Sequence, residues 1–135
     1  MANEVTATRR SGYTHDLEVG GHKLVADEPT DNGGHDEGPE PTELLAAALA
    51  SCTAITVEMY ADRKGWELPE LRVTVTQDVD PETRVRSFDV KMYLPGGLTE
   101  EQTQRIRQIA GKCPVHKALA NETTVAIHDR IEILG

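Results

Sequence analysis

Residues 38–65, GPEPTELLAAALASCTAITVEMYADRKG, decide the fold, because they predict one long helix with a cysteine near its middle. Pro41 suits the first helical position, where its missing N–H costs nothing. Glu40 then becomes the cap residue, and Glu43 stands at the third helical position, where a carboxylate can bond back to the cap. The helix is expected to end at Lys64, just before a glycine, with a length of about 36 Å.

A helix that is apolar on most faces must be buried by other apolar side chains, and this chain has few of them. Residues 44–50 are apolar almost all round, whereas only 38% of the 135 residues are hydrophobic and 4% are aromatic. The length predicts a single domain, residues 1–135, with a modest core. We therefore expect a second copy of the chain to cover part of the helix in a homodimer.

The formal net charge of −9 argues against nucleic acid and anionic membranes as partners. No signal-peptide pattern opens the chain, and the apolar run at residues 44–50 is too short to span a bilayer. Two cysteines in a chain without an export signal indicate a reducing compartment, so we expect a cytoplasmic protein. Paired thiols in that compartment are more often chemical than structural.

Before the helix, the sequence predicts three short strands and a loop. A brief first strand covers residues 4–8, and residues 13–19 alternate apolar and polar side chains as a half-buried strand does. Gly20-Gly21 is a typical two-residue turn into the third strand. Residues 27–40 are rich in Asp, Glu, Gly and Pro, which predicts a loop long enough to be functional or mobile.

After the helix, two longer strands are predicted, joined by a turn at residues 78–83. A second helix begins at Thr99, where Gln102 completes a capping box. A short third helix begins at Cys113 and runs to about Asn121. The order β-β-β-α-β-β-α-α-β, without repeats, predicts an α+β fold. The last strand rests on four alternating apolar residues: Val125, Ile127, Ile131 and Ile133.

The two cysteines are the residues best suited to carry chemistry, and the sequence leaves their roles open. Cys113 stands at a helix start, where peptide N–H groups, Lys112 and Lys117 favour the thiolate. A buried, inert cysteine fits that segment equally well. Cys52 lies on the apolar side of the long helix, which taken alone is typical of a core position.

Metal and cofactor chemistry find little support in the sequence. Cys113 and His116 lie one helical turn apart and form a single candidate metal pair, but no further pair has the spacing of a zinc site. A P-loop, a dinucleotide fingerprint and a Gly-x-Ser-x-Gly elbow are all missing from the sequence. We therefore expect neither a metal nor an organic cofactor.

Three stretches resemble the OsmC/Ohr family of osmotically inducible and organic hydroperoxide resistance proteins. Residues 38–52 match the family's helix start, with a proline, a following glutamate and a cysteine nine residues beyond it. Residues 59–66, MYADRKGW, are similar to an OsmC-like subgroup, and residues 112–119, KCPVHKAL, resemble the family's second, Cys-Pro site. The resemblance implies an OsmC-like α+β fold in which two intertwined subunits form a homodimer around two long central helices.

The resemblance also implies a thiol peroxidase without metal or flavin that acts in oxidative-stress defence. Cys52 would attack a small organic hydroperoxide, Cys113 would resolve the sulfenic acid as a disulfide, and a small dithiol would reduce it. Glu43 would orient an arginine that holds Cys52 as thiolate. The loop before Glu43 contains no arginine, so Arg10 is expected to supply the cation, with Arg9 as the second choice.

The spacing of Glu43 and Cys52 predicts a site shared between subunits. Nine positions at 100° each place them on opposite sides of one helix, about 13 Å apart along its axis. We therefore expect the partner subunit's Glu43 to face Cys52.

Two other functions fit the same residues: a non-enzymatic protein that binds an apolar ligand in the dimer cleft, and a redox sensor.

Overall fold

The structure, a computed structural model, describes residues 3–135. The chain divides into two compact units, one ending at Ala47 and the other beginning at Ala48. The first unit contains three strands and the start of the long helix: β1 (Val5–Ser11), β2 (Thr14–Val19), β3 (His22–Ala26) and α1 (Pro41–Lys64). The second unit contains the rest of α1 and four further elements: β4 (Arg72–Val79), β5 (Arg86–Tyr93), α2 (Glu100–Ala110) and α3 (Pro114–Leu119).

These elements confirm the α+β class and the predicted order as far as the third helix. β1 extends to Ser11 instead of ending at residue 8, and α3 ends at Leu119 instead of near Asn121. The predicted last strand is wrong for the single chain, because residues 124–135 form no strand and their apolar side chains are exposed. An apolar alternation becomes a strand only beside a neighbour, and within residues 3–135 β4 and β5 pair only with each other.

In the first unit, β1, β2 and β3 form an antiparallel sheet in that order. The predicted Gly20-Gly21 turn joins β2 to β3, and the two glycines have positive φ angles of 55° and 82°. Two consecutive residues of positive φ make the hairpin turn whose twist matches that of the strands. Glycine adopts these angles without steric cost, so the turn sets the register of the hairpin.

The loop after β3 is held by the buried carboxylate of Asp27, which is 1% exposed. The Thr14 hydroxyl donates to it at 2.7 Å, and the backbone N–H groups of Glu28 and Glu37 donate at 2.7 and 3.3 Å. The Asp27 N–H in turn donates to the Pro39 carbonyl at 3.1 Å. This loop, predicted to be functional or mobile, is therefore tied at both ends to one side chain.

The start of α1 follows the prediction. The Glu40 backbone N–H donates to Glu43 Oε1 at 3.0 Å, and the Glu43 N–H donates to the Glu40 carbonyl at 2.9 Å. Glu40 is therefore the cap and Glu43 the third helical residue, as the sequence indicated. The helix ends at Lys64, and Gly65 has the left-handed φ of 72° that terminates many helices.

In the second unit, the core forms between α1 and α2. Val57 packs with Ile106 and Ile109 into a buried cluster. The predicted capping box of α2 is present: the Thr99 hydroxyl accepts from the Gln102 N–H at 3.1 Å, and Gln102 Oε1 accepts from the Thr99 N–H at 2.8 Å. A buried stripe with a spacing of four residues packs α1 into this unit: Leu49, Thr53, Val57 and Ala61.

β4 and β5 form the predicted antiparallel hairpin, with Val75 opposite Val90. The Asp80 carboxylate closes the turn between them, accepting from the N–H groups of Glu82 and Thr83 at 2.8 and 2.9 Å. A side chain that bonds its own backbone two or three residues on is the usual device of such turns. The hairpin presents one face of β5 to α2.

Several apolar side chains of α1 stay exposed in the single chain, among them Leu45, Ile55 and Met59, the last with 59% of its surface accessible. By length and composition alone, α1 is also long and apolar enough to cross a membrane. The run at residues 44–50 was expected to be too short, but the small residues after it extend the apolar window. Core helices of soluble proteins meet the same criterion, so this length does not assign α1 to a membrane.

Candidate functional site

The two cysteines meet in the second unit. α1 carries Cys52 beside its buried stripe, and the turn that ends α2 carries Cys113 to the cap position of α3. The two side chains lie close enough for the Cys52 thiol to raise the pKa of the Cys113 thiol. Cys113 is completely buried, whereas Cys52 is partly exposed, and both are free thiols. The pair therefore combines one partly exposed cysteine with one buried cysteine.

Burial controls the acidity of Cys113. It raises the pKa of this thiol above its ordinary value, and the neighbouring Cys52 thiol raises it further. The backbone N–H of His116 donates to Cys113 Sγ at 3.5 Å and, with the N–H of Val115, lowers the pKa by a smaller amount. The expectation that the helix start makes Cys113 the low-pKa thiol is therefore wrong, because loss of water outweighs the contribution of the peptide N–H groups.

The other two predicted site residues lie in the first unit. Glu43 is exposed and its carboxylate caps α1 through Glu40. Arg10, on β1, pairs with Asp16 and with Glu37 at 3.4 Å, and the hydrogen bond to Asp16 is the main cause of a raised Arg10 pKa. Arg10 is therefore a permanently charged group with two acidic neighbours of its own unit.

The second-choice arginine, Arg9, is also engaged within the first unit. Its Nε donates to the Gly12 carbonyl at 2.8 Å, which closes the turn between β1 and β2. Glu43 and Cys52 occupy one continuous helix nine residues apart, as predicted. Of the four predicted site residues, Cys52 and Cys113 are the pair that lie close enough for one to affect the pKa of the other.

Two polar groups beside the thiols were missed by the sequence analysis. Thr53 follows Cys52 on the buried stripe of α1 and is 1% exposed, and His116 lies one turn beyond Cys113 on α3. Thr53 Oγ1 and His116 Nδ1 are buried without a hydrogen-bond partner among residues 3–135. In the sequence, Thr53 stands out only as a hydroxyl within an otherwise apolar stripe, and His116 only as a partner of Cys113 in a candidate metal pair.

Two neighbouring thiols can be oxidised reversibly to a disulfide with the loss of two electrons. A metal is a poorer fit, because within residues 3–135 no three His, Cys, Asp or Glu side chains are placed to hold one. The arrangement therefore favours thiol redox chemistry between an accessible and a buried sulfur.

Several solved structures share this fold. A protein of Psychrobacter arcticus 273-4, named for osmotic stress induction and a detoxification response, is 22% identical over 87% of this chain and 88% of that chain, with a TM-score of 0.78. The organic hydroperoxide resistance protein OsmC of Legionella pneumophila is 21% identical over 88% and 90%, with a TM-score of 0.61. The organic hydroperoxide resistance protein OhrB of Bacillus subtilis is 24% identical over 87% and 90%, with a TM-score of 0.58.

At these identities the likeness to solved structures shows the fold alone. No curated protein sequence matches the chain. The profile of the family described as OsmC-like protein matches residues 34–128, a span that covers all of α1, both strands of the second hairpin and both cysteines. With that match and an OsmC-like fold, the chain belongs to the OsmC-like family.

Proposed function

We propose that this protein is a thiol peroxidase that reduces organic hydroperoxides in oxidative-stress defence. The observation that carries the proposal is the neighbouring pair of free thiols, Cys52 and Cys113, which lie 61 positions apart in the sequence. Neighbours with the same fold are named organic hydroperoxide resistance proteins, which supports the same class of substrate.

The reaction follows from the different exposure of the two sulfurs. The Cys52 thiolate attacks one peroxide oxygen, the O–O bond breaks, and the alcohol leaves with a proton, so that Cys52 becomes a sulfenic acid. The Cys113 sulfur then attacks the Cys52 sulfur, the S–O bond breaks, and water leaves. A small external dithiol restores both thiols by two exchange steps and is itself oxidised to a disulfide.

The environment of each cysteine suits its role. Cys52 is partly exposed, so a peroxide can reach it from solvent. Cys113 is completely buried, and burial raises its pKa, so it keeps its proton and stays out of reach of the peroxide. A protected second thiol reacts only with a neighbour already oxidised, which is what resolution requires.

We also infer that the protein is a homodimer with a shared site. Support comes from the apolar side chains that the single chain leaves exposed on α1, Ile55 and Met59 among them. The apolar segment at residues 124–135 likewise has no strand partner among residues 3–135, and a second copy would offer one. A folded monomer in sedimentation at micromolar concentration is the result that contradicts this inference.

In that dimer, the partner subunit's Glu43 would orient an arginine toward Cys52. Glu43 cannot approach Cys52 of its own chain, because both lie on one continuous helix, about 13 Å apart along the axis. Arg10 is our first candidate for the cation. It remains charged at all relevant pH values, and its carboxylate neighbours Asp16 and Glu37 hold it at the surface of β1.

Peroxide turnover tests the proposed function directly. Consumption of an organic hydroperoxide is measured with a small dithiol present, together with a titration of free thiols before and after peroxide alone. We expect catalytic consumption and the loss of both thiols per chain, and neither in Cys52→Ser. If the wild type and Cys52→Ser react alike, the peroxidase proposal fails, and the alternative of a non-enzymatic binding protein takes its place.

A further inference from the structure

A cavity of about 480 Å³ in the second unit lies next to the helix that begins at Cys113, and the peroxidase proposal assigns it no role. Its apolar wall is formed by Val90 and Met92 of β5, by Leu94 just after that strand, and by Ala110 of α2. Concave sites of this volume with mainly apolar walls and a few convergent polar groups are typical of small-molecule sites. The question is which chemistry the polar groups select.

Two of those polar groups are the unpartnered atoms described above. The Thr53 hydroxyl and His116 Nδ1 both belong to residues that line this cavity, and neither has a hydrogen-bond partner among residues 3–135. A buried polar atom without a partner costs folding free energy, and most such atoms in native proteins are satisfied by protein, water or ligand. The Thr53 hydroxyl can donate to an oxygen of a ligand, and His116 Nδ1 can do so when it carries the imidazole proton.

The charge of the cavity is opposite to that of the protein. The chain carries a formal net charge of −9, yet neither aspartate nor glutamate is among the described residues that line the cavity. Arg107 lines it from α2 and makes no ion pair within residues 3–135. Lys91 is not counted, because its ammonium group lies 5.0 Å from the centre of the Tyr93 ring and is the main cause of a lowered pKa of the Tyr93 hydroxyl.

We propose that this cavity binds a carboxylate ligand with an apolar body. The carboxylate accepts hydrogen bonds from the Thr53 hydroxyl and from His116 Nδ1–H, and Arg107 balances its charge. The body packs against the apolar wall, on Met92 of β5 and on Leu94. A charged acceptor between two donors and a guanidinium forms stronger hydrogen bonds than a neutral one, so the charge of the ligand decides its affinity. The proposal does not rest on the peroxidase reaction, because binding involves no thiol chemistry.

Octanoate is the probe, and octanol is the uncharged probe of the same chain length. Binding of each to the wild-type protein is measured by titration calorimetry without peroxide or dithiol, so that the outcome is independent of turnover. We expect octanoate to bind saturably and octanol to bind at least about tenfold more weakly. Octanoate should also shift the amide resonances of Thr53, Met92 and His116 in two-dimensional NMR spectra.

Matched variants separate the cavity from general charge effects. Arg107→Gln removes the proposed cation, whereas Arg105→Gln removes the same charge from the same helix at a side chain that instead donates to the Tyr60 hydroxyl at 3.0 Å. We expect Arg107→Gln to weaken octanoate binding by about tenfold and Arg105→Gln to leave it unchanged. Both residues are exposed, so neither variant threatens the fold.

Thr53→Val tests the buried hydroxyl and keeps the shape of the side chain. Without ligand, removal of an unpartnered buried hydroxyl should leave the free energy of unfolding equal or higher. Octanoate binding should nevertheless weaken by about tenfold. The proposal is overturned if octanoate does not bind, if octanol binds equally well, if Arg105→Gln and Arg107→Gln lose affinity alike, or if Thr53→Val destabilises the unliganded protein.

Discussion

Cys52 lies close enough to Cys113 to raise the pKa of its thiol, although 61 positions of sequence and three elements, β4, β5 and α2, separate them. α1 supplies the first sulfur and the cap of α3 supplies the second, so helix packing in one compact unit creates the pair. The two cysteines differ in exposure, Cys52 being partly exposed and Cys113 buried. In the proposed reaction this difference gives the pair a direction, because Cys52 would react with the peroxide and Cys113 only with the oxidised Cys52.

This direction predicts that Cys113→Ser reacts once with an organic hydroperoxide and then stalls. Without a resolving thiol, Cys52 should remain a sulfenic acid and then oxidise further to the sulfinic acid, which dithiols do not reduce. Mass spectrometry after peroxide addition detects both additions, and trapping with dimedone marks the sulfenic acid. Cys52→Ser is the matched control and should show neither product. If Cys52→Ser reacts and Cys113→Ser does not, the two roles are reversed.

The buried position of Cys113 predicts selective alkylation of the native protein. Because burial raises the pKa of Cys113, the thiol keeps its proton at pH values where an ordinary cysteine, with a pKa of about 8.5, already ionises. Iodoacetamide near neutral pH should therefore modify Cys52 first, and modification of Cys113 should increase only as the pH rises further above that value. Peptide mapping measures each site, and unfolded protein, in which both react, is the control. Faster reaction of Cys113 at neutral pH contradicts the prediction.

Local rules of capping and turn formation predicted those parts of the fold that depend on a few neighbouring residues. The Glu40–Glu43 cap and the capping box at Thr99 and Gln102 involve residues three positions apart, so the sequence contains all the information they need. The Gly20-Gly21 turn follows from backbone freedom at two positions in the same way.

Acidity and strand pairing could not be predicted in this way, because they depend on distant packing. The helix start at Cys113 indicated a thiolate, but the burial that reverses this effect arises from the packing of the surrounding elements. The alternation at residues 125–133 indicated a strand, but the single chain supplies no neighbour for it. Composition at residues 27–40 indicated a loop and gave no sign that the Asp27 carboxylate organises it.

Asp27→Asn is expected to destabilise the first unit. Burial alone would raise the Asp27 pKa, but hydrogen bonds from Thr14 and from the backbone N–H groups of Glu28, Glu37 and His35 together bring it below its ordinary value. An asparagine replaces one of the two accepting oxygens by an NH₂ group, which cannot accept a hydrogen bond from these donors. The melting temperature should therefore fall by several degrees. Asp31→Asn, at an exposed position of the same loop, is the control and should change little.

The lowered Asp27 pKa also sets a pH dependence. The stabilisation is complete above the unfolded-state pKa, about 3.9, and is lost as the pH falls through the lower folded-state pKa. The difference in melting temperature between wild type and Asp27→Asn should therefore shrink on acidification and stay constant near neutrality. A difference that grows as the pH falls contradicts this assignment.

Arg10 is predicted to promote ionisation of Cys52 in the dimer. Arg10→Ala should slow alkylation of Cys52 by iodoacetamide at neutral pH, because a nearby cation favours the thiolate. Arg9→Ala is the matched variant and should have a smaller effect, since the Arg9 Nε is bonded to the Gly12 carbonyl. If both variants alkylate at the wild-type rate, another residue supplies the cation, and Arg63 and Lys64 are the next to test.

Mixed dimers provide the sharpest test of the shared site. One chain carries Glu43→Gln and keeps Cys52, and the other carries Cys52→Ser and keeps Glu43. If Glu43 acts on Cys52 of the partner subunit, each mixed dimer contains one complete site, because an intact glutamate faces an intact cysteine across the interface. If Glu43 acted within its own chain, each mixed dimer would contain none.

The two variants are unfolded together, refolded as an equal mixture, and compared with each variant refolded alone. Random pairing makes about half of the dimers mixed, each with one of two sites complete, so peroxide consumption should recover to about a quarter of the wild-type value. Each variant alone should be far less active than the mixture. If the activity of the mixture equals the mean of the two separate variants, Glu43 either acts on Cys52 of its own chain or has no role in the reaction. A role of Glu43 within its own chain would require α1 to bend, because Glu43 and Cys52 are separated along that helix. An activity equal to the mean would therefore leave Glu43 with its role as the cap of α1 alone.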